Sequence, residues 1–365
     1  MTHANLHARR IGVSRRAVLA GSVAALLPAS LPDGPAIAAT SAPGAREVPA
    51  RLITVPDTVS EAMRPIVGAP LPANWDDVPT TAEGWKRLAA ASTKGAGPVL
   101  DDIKSRLGVT VAEATIAGVH VYTATPDTMP EENRNRLLLH VHGGGYVLYP
   151  GEVGAGEAML MAGYGRFKVV SVDYRMPPDF PFPAPLDDAM AVWQALLADT
   201  PPDRMGIFGT SAGGGLAMAM ILRAKAEGIP LPAAIAPGSP WTDLTGDGDT
   251  EQTNAFVDNA IVSNTGWVGA AGRLYANGRD LKDPLISPLY GDFTGFPPAI
   301  LTSGTRDLLL SDTIRTHRKL RQAGVVALLQ VFEAQSHAQF LTPFVPETEE
   351  AFGEIAGFFA AHLAT

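Results

Sequence analysis

The stretch that decides the fold reads Gly209-Thr210-Ser211-Ala212-Gly213, and His142-Gly143-Gly144-Gly145 precedes it along the chain. The first string matches the G-x-S-x-G pattern of a nucleophile elbow, a sharp turn between a strand and a helix that exposes a serine hydroxyl. The second matches a glycine-rich loop whose backbone N–H groups stabilise a developing oxyanion. Taken alone, the pentapeptide could be a turn that merely joins two elements. Together the strings predict a serine nucleophile beside its oxyanion donors.

The flanking residues fit both motifs. Arg204–Phe208 is a short apolar run that predicts the strand before the elbow, and residues 213–226 are rich in Ala, Met and Leu, which favour helix. The run 137–141 predicts a buried parallel strand that ends at the glycine row. A phosphate-binding turn is the alternative for that row, but its usual glycine patterns are missing from the sequence. We expect His142 to stabilise the loop through a hydrogen bond.

A serine nucleophile needs a histidine base, and three histidines follow Ser211: His317, His337 and His362. His337 comes after a predicted strand, Ala327–Phe332, and a short polar loop, which is where parallel sheets carry functional residues. His317 lies in a charged, helical stretch, and His362 is close to the C-terminus. The position therefore favours His337 as the base.

The base needs a carboxylate, which in this motif order lies between the serine and the histidine. Asp307 follows the predicted strand Ala299–Ser303 after a short loop. Asp312 is the nearest rival, but it falls inside the next predicted helix. Asp283 and Asp292 precede the strand and are expected to be loop or capping residues. Asp307 is the predicted acid.

Strands and helices alternate through the rest of the chain, a pattern that builds a mostly parallel sheet covered by helices on both faces. The catalytic candidates then share the carboxyl edge of the sheet, where ligands bind in such folds. The predicted strands lie near Val111–Ala117, Val119–Thr125, Leu137–His142, Lys168–Asp173, Arg204–Phe208, Ala233–Ala236, Ala299–Ser303 and Ala327–Phe332.

Two segments are predicted to form a lid over a core of residues 109–244 and 284–365. N-terminal lid helices are expected within 51–108, including one near Ser60–Val67, and a second lid segment is expected at 245–283. Apolar side chains near the glycine loop and in the lid are candidates for lining a substrate pocket, with plain packing as the alternative for each. These are Tyr146, Phe256 and Trp267, with Ile261 and Tyr275 beside them.

Composition excludes several classes of protein. Hydrophobic residues make up 46% of the 365 residues and charged residues 18%, which suits a compact globule rather than a disordered chain. The net charge of −9, with no basic patch, argues against nucleic acid and anionic membranes as partners. The sequence has no cysteine, which excludes disulfides and thiolate chemistry, and it has no zinc-binding pattern. We therefore predict no metal and no cofactor.

The first 38 residues resemble an export signal. Ser14-Arg15-Arg16 is a twin-arginine pattern, and Ala17–Leu31 is too short and too interrupted to span a membrane. Ala36-Ile37-Ala38 fits a cleavage site, and residues 39–50 would then be a linker. Removal of residues 1–38, whose charge is +3, would leave −12. These features predict an exported periplasmic or secreted protein with no membrane insertion after processing; an arm that binds an acidic partner is the alternative.

From about residue 50 onward the chain resembles the bacterial hormone-sensitive-lipase-like (family IV) esterases of the α/β-hydrolase superfamily. His142–Tyr146 matches the oxyanion motif of that family, and Gly209–Gly214 matches its subgroup with Thr before the nucleophile. The sequence departs from the usual pattern where Leu308 and Ala338 follow the acid and the base. Further similar stretches are Asp173-Tyr174-Arg175, Phe182–Asp188, Ser239–Asp243 and Ser287-Pro288-Leu289.

The resemblance implies an α/β-hydrolase fold with a mostly parallel eight-stranded sheet and a helical lid. It implies a triad of Ser211, Asp307 and His337, and oxyanion amides from Gly144, Gly145 and Ala212. The implied activity is that of a serine carboxylesterase acting on short-to-medium acyl esters, with a small-molecule ester as partner and a homodimer left open. A lactone or amide hydrolase with the same triad, or a non-catalytic ligand-binding protein on the same fold, are the alternatives.

Overall fold

An eight-stranded sheet forms the centre of the computed structural model, which describes residues 44–365. The strands are β1 (Val109–Ile116), β2 (Val119–Pro126), β3 (Leu137–Val141), β4 (Lys168–Val172), β5 (Met205–Thr210), β6 (Ala234–Gly238), β7 (Ala299–Gly304) and β8 (Ala327–Phe332). The strand order is β1-β2-β4-β3-β5-β6-β7-β8. The strand β2 runs antiparallel to β1 and to β4, and the other pairings are parallel. The predicted mostly parallel eight-stranded sheet is confirmed.

Helices cover both faces of the sheet because the apolar strands present alternate side chains to opposite sides. The helices are α1 (Arg64–Val67), α2 (Ala82–Thr93), α3 (Gly97–Leu107), α4 (Gly156–Gly165), α5 (Ala184–Leu196), α6 (Ala212–Glu227), α7 (Thr250–Thr253), α8 (Trp267–Ala276), α9 (Leu310–Gln322) and α10 (Pro346–His362). Leu139 of β3 packs in the cluster formed with α5, α6 and α9, whereas Leu138 packs in the cluster formed with α3, α4 and α10.

The helix predicted near Ser60–Val67 is shorter than expected, because only Arg64–Val67 is α-helical. The N–H and hydroxyl of Ser60 both donate to the carboxylate of Glu347, each over 2.8 Å. This long-range contact holds residues 60–63 in turns, a local conformation that helix-forming propensity does not reveal.

All of these elements lie within Ile53–Thr365, which forms a compact unit, and residues 44–52 carry no helix or strand. The predicted signal (1–38) and the first linker residues (39–43) lie outside the described part of the chain. Within 44–365, no helix has the length and apolar character needed to cross a bilayer.

Candidate active site

Ser211 occupies a strained turn between β5 and α6. Its backbone has φ 62° and ψ −124°, a conformation that costs a non-glycine residue about 1–3 kcal/mol and persists only where its surroundings hold it. Two of the hydrogen bonds that hold it come from the chain at and just after the end of β6. The N–H of Ser211 donates to the carbonyl of Gly238 over 2.8 Å, and its carbonyl accepts from the N–H of Trp241 over 2.9 Å. The chain leaving β6 therefore fixes the elbow from the side.

The glycines on either side of the serine are required by backbone packing. A Cβ on Gly209 would lie 2.1 Å from the carbonyl oxygen of Val141, and one on Gly213 would lie 2.0 Å from the same oxygen. No side chain can occupy either position without moving the end of β3. Because β3 continues into the glycine row, this contact also places the row beside the serine. A Cβ on Gly143 would meet the Cβ of Ser211 at 3.2 Å.

The structure brings Ser211, His337 and Asp307 together in one chain of hydrogen bonds. His337 Nε2 lies 2.8 Å from Ser211 Oγ, and His337 Nδ1 lies 3.0 Å from Asp307 Oδ1. Asp307 is fully buried and also accepts hydrogen bonds from Ser303 Oγ and from the N–H of Leu309, each at 2.8 Å. The predicted serine, base and acid thus have the geometry of a nucleophile, an acceptor of its proton and an orienting carboxylate.

The charges around the imidazole favour its protonated form. Burial opposes this form, but the carboxylates of Asp307 and Asp258 raise the pKa of His337 above its usual value. Burial also works against ionised Asp307, yet the adjacent His337 and the hydrogen bonds that Asp307 accepts lower the pKa of this carboxyl. Asp307 can therefore stay ionised while His337 takes up a proton.

The glycine row beside the serine has unused N–H groups. Gly144 has φ 99° and Gly145 has φ 61°, the left-handed conformations that glycine adopts at low cost. No acceptor within residues 44–365 takes the N–H of Gly144 or Gly145. Ala212 begins α6, so its N–H lies in the first turn, where the helix itself provides no partner. All three predicted oxyanion donors therefore have free N–H groups.

His142 stabilises the loop, as predicted. Its Nδ1 donates to the carbonyl of Gly143 over 2.8 Å, and its ring stacks on Tyr174 with centroids 4.1 Å apart. Burial lowers the pKa of His142 to about 4, so the ring is neutral and Nδ1 carries the proton. Tyr174 in turn donates its hydroxyl to the carbonyl of His142 over 2.7 Å. Hydrogen bonds at the ring and at the backbone carbonyl therefore fix His142 directly before the glycine row.

A cavity of about 370 Å³ opens onto Ser211 and His337. Most of its wall is apolar, and the loop after the glycine row and segment 245–283 contribute most of the apolar side chains. Trp267 lines it, as predicted, and its ring lies 3.2 Å from the position of a Cβ on Gly145. The other apolar lining residues include Leu148, Val153, Ile261, Val268 and Leu341. The cavity can hold an apolar group next to the serine hydroxyl.

Two predicted pocket residues lie elsewhere, and for these the prediction was wrong. The ring of Tyr146 is buried and stacks on Tyr275 with centroids 3.7 Å apart, so both tyrosines belong to the hydrophobic core. Phe256 is 60% exposed and meets the edge of Trp75. Both residues have positive φ angles, which change the direction of the side chain. Hydrophobicity alone does not predict such backbone angles.

The rejected candidates have other partners. His317 contacts the carbonyl of Ala327, and His362 contacts the carbonyl of Phe358. Asp312 is buried in α9, where it accepts hydrogen bonds from the N–H groups of Thr242 and Asp243. None of these three side chains joins the hydrogen-bonded chain of Ser211. In the part of the chain that the structure describes, no group of three His, Asp or Glu residues could hold a metal ion.

Sequence reasoning missed two carboxylates near the site, the part-buried Glu157 and the fully buried Asp258. Glu157 accepts a hydrogen bond from Thr210 Oγ1 over 2.7 Å and lies 3.1 Å from His140 Nε2. Asp258 accepts hydrogen bonds from the loops that carry the acid and the base. The sequence signal for Glu157 is Thr210, next to the nucleophile, because a buried hydroxyl needs a polar partner. No local pattern marks Asp258, because the partners that connect it to the site, Leu308 and His337, are distant in sequence.

Known proteins share this architecture. A family model described as alpha/beta hydrolase fold matches residues 138–341. An acetyl-hydrolase of Streptomyces hygroscopicus is 33% identical over 232 residues, which cover 63% of this chain and 77% of the relative. A crystal structure of an esterase is 40% identical with a TM-score of 0.85, covering 87% of this chain and 99% of the other. An esterase from the bacterial hormone-sensitive lipase family is 30% identical with a TM-score of 0.66, covering 77% and 96%. The chain therefore belongs to the α/β-hydrolase superfamily, in its hormone-sensitive-lipase-like branch.

Proposed function

We propose that this protein is a serine carboxylesterase that hydrolyses short-to-medium acyl esters. The observation that carries the proposal is the hydrogen-bonded chain from Asp307 through His337 to Ser211, at 3.0 and 2.8 Å, beside a mostly apolar cavity. The esterases and the acetyl-hydrolase among its relatives support ester hydrolysis as the reaction.

Acylation uses the three side chains in sequence. Ser211 Oγ attacks the ester carbonyl carbon while His337 Nε2 takes the hydroxyl proton, and Asp307 stabilises the imidazolium. The carbonyl oxygen becomes an oxyanion that accepts hydrogen bonds from the N–H groups of Gly144, Gly145 and Ala212. One such donor contributes roughly 3–4 kcal/mol in a well-studied case. The alcohol then leaves with the proton from His337, and an acyl-enzyme remains.

Deacylation repeats the same steps with water. His337, now neutral, accepts a proton from a water molecule as that water attacks the acyl carbonyl. The tetrahedral intermediate collapses, Ser211 recovers its proton from His337, and a carboxylic acid is released. The glycine row stabilises the second oxyanion as it stabilised the first.

Cavity size supports the substrate class. About 370 Å³ is near the lower end of the range for small-molecule sites, and the wall beside the serine is apolar. Both features favour a compact acyl group. Lactone and amide hydrolysis use the same acyl-transfer chemistry. Rates on one lactone and one amide, measured beside rates on a series of nitrophenyl esters, therefore distinguish these substrate classes. The contact between His337 and Ser211 disfavours a role confined to ligand binding.

Replacement of the nucleophile tests the proposal. We expect Ser211→Ala to lower kcat for p-nitrophenyl butyrate by at least about 10³-fold without unfolding the protein, because removal of a triad member leaves only the oxyanion donors and binding. Ser105→Ala, the same change on the exposed face of α3, is the matched control and should keep the wild-type rate. A Ser211→Ala variant with more than a thousandth of the wild-type rate would refute the assignment.

We also propose export through the twin-arginine pattern at Ser14-Arg15-Arg16, with cleavage after Ala38. The motif order of paired arginines, a weakly apolar stretch and small residues supports this proposal. N-terminal sequencing of protein recovered outside the cytoplasm tests it, and a secreted form that still begins at Met1 would refute it.

A further inference from the structure

Asp258 is a fully buried carboxylate in the segment between α7 and α8. Each of its oxygens accepts two backbone N–H groups. Oδ1 accepts from Ala260 over 2.7 Å and from Ile261 over 3.1 Å, whereas Oδ2 accepts from Leu308 over 2.8 Å and from His337 over 3.0 Å. One side chain therefore joins three stretches of chain that are remote in sequence.

Those three stretches meet at the active site. Leu308 directly follows Asp307 in the loop after β7, and His337 lies in the loop after β8. Ala260 and Ile261 line the cavity. Because the acid and the base come from different loops, their separation depends on whatever connects those loops. Oδ2 of Asp258 connects the two loops directly. Oδ1 binds the N–H groups of Ala260 and Ile261, and thereby holds this part of the cavity wall next to the loops.

Neighbouring residues reinforce the same connection. Asn254 donates from Nδ2 to the carbonyl of Asp307 over 2.8 Å. The N–H of Asn259 donates to the hydroxyl of Ser336, next to the base, over 3.1 Å. The segment 254–261, which we predicted to belong to a lid, is thus tied to both catalytic loops by hydrogen bonds on either side of Asp258.

Asp258 accepts hydrogen bonds as an ionised group. All four partners are donors, so a protonated oxygen would meet an N–H instead of an acceptor. Burial and the negative charge of Asp307 raise the pKa of Asp258, whereas His337 and the backbone N–H groups oppose that rise. The titratable groups around the imidazole of His337 are then Asp307, Asp258 and, from α7, Glu251, whose raised pKa of about 8 keeps it protonated near neutral pH.

We infer that Asp258 is a positioning residue that sets the distance between the acid and the base and aligns the cavity wall with them. The inference rests on the proposed esterase function, since it concerns the efficiency of the same site. It assigns to segment 254–261 the role of holding the two catalytic loops in place through hydrogen bonds.

Replacing the carboxylate by an amide tests this role. Asp258→Asn keeps the shape but sets an NH₂ group against two N–H donors, so we expect kcat for p-nitrophenyl butyrate to fall about 10- to 100-fold. Loss of the charge also removes one of the groups that favour the imidazolium. The acidic limb of the kcat/KM profile should therefore move to lower pH, a change that a purely structural role would not produce.

A second variant separates charge from position. Asp258→Glu keeps the charge and displaces the oxygens by one methylene, so kcat should fall while the acidic limb stays at the wild-type pH. Asp280→Asn, in which the replaced carboxylate caps an exposed turn, is the matched control and should leave both quantities unchanged.

The outcomes distinguish this inference from the proposed function. Wild-type protein without Ser211-dependent ester hydrolysis would refute the proposed function itself. An active wild type together with an Asp258→Asn variant whose kcat is within twofold and whose pH profile is unmoved would overturn the positioning role alone. Failure of both Asp258 variants to fold would assign the residue to the stability of the fold and would also overturn it.

Discussion

On the elbow side of the site, glycines let backbone touch backbone, whereas on the acid–base side buried carboxylates connect distant loops. Gly209 and Gly213 both press on the carbonyl of Val141, where a Cβ would come within 2.0–2.1 Å of oxygen. Asp258 instead reaches N–H groups 50 and 79 residues away along the chain. The first side is built by steric exclusion and the second by charge and hydrogen bonding.

The two sides differ in how their contacts respond to pH and to substitution, and in how easily they are recognised from the sequence. Steric contacts do not depend on pH and tolerate almost no substitution, so they leave a short and recognisable motif. Carboxylate contacts depend on pH and can be made from any loop that reaches the right place, so they leave no fixed pattern. We therefore expect substitutions on the two sides to fail in different ways.

The largest expected effect comes from removing the charge of the acid. Asp307→Asn can keep hydrogen bonds to Ser303 and His337, but a neutral amide does not stabilise the imidazolium. We expect kcat to fall about 10⁴-fold, as for such changes in other serine hydrolases, with the thermal unfolding temperature little changed. Steady-state kinetics and thermal denaturation measure the two effects. A loss of less than tenfold would mean that Asp307 does not serve as the acid.

Adding a methyl group on the elbow side should damage folding and activity together. Gly213→Ala puts a Cβ 2.0 Å from the Val141 carbonyl and 2.8 Å from the carbonyl carbon of His142, so the end of β3 must move. We expect a loss of about 3 kcal/mol in the free energy of unfolding and about 100-fold in kcat/KM, because the glycine row shifts with β3.

The matched control for this change is Gly357→Ala in α10, where a Cβ would meet no atom within 4 Å. Alanine is the better helix former, so this variant should gain about 0.5–1 kcal/mol and keep full activity. Urea denaturation separates the two variants. Equal stability of both would contradict the steric account of the elbow.

The smallest effect concerns Glu251, which belongs to the acid–base side. Burial and the nearby Asp307 and Asp243 raise the pKa of Glu251 to about 8, and its Oε2 has no partner among the described residues. The unfolded chain ionises this group near its ordinary pKa of 4.5. Between these two values the unfolded state binds fewer protons, so the free energy of unfolding falls as pH rises. Above about pH 8 both states are ionised and the contribution levels off.

Glu251→Gln should remove this dependence. We expect the stability of the variant relative to wild type to increase by about 2 kcal/mol between pH 5 and pH 6.5, when urea denaturation is run at both pH values. Glu354→Gln on the exposed face of α10 should show no such change. A difference between Glu251→Gln and wild type that stays constant with pH would mean that Glu251 is already ionised in the folded protein.

Local patterns were sufficient for most of the fold and for the residues that now meet. Continuous apolar runs located the central strands, since a parallel strand buried on both faces is apolar throughout. Ser211, Asp307 and His337 were identified because each follows a predicted strand in a fixed order along the chain. The pocket residues were harder to predict. Tyr146 and Phe256 are aromatic neighbours of functional segments, but whether such a ring faces the cavity, the core or solvent depends on backbone angles and distant partners.

The amino-acid sequence by itself determined the sheet, the elbow and the glycine row, because these depend on periodicity and on the absence of side chains at a few positions. The tertiary structure alone decided the depth of the cavity, the burial of Tyr146 and the carboxylate of Asp258 beneath the catalytic loops. The physical reason is what each kind of contact demands of the sequence. A steric contact, even one between residues as distant as Gly213 and Val141, demands glycine at a fixed position and therefore appears as a motif, whereas a buried charge accepts from whichever N–H groups the completed fold brings to it.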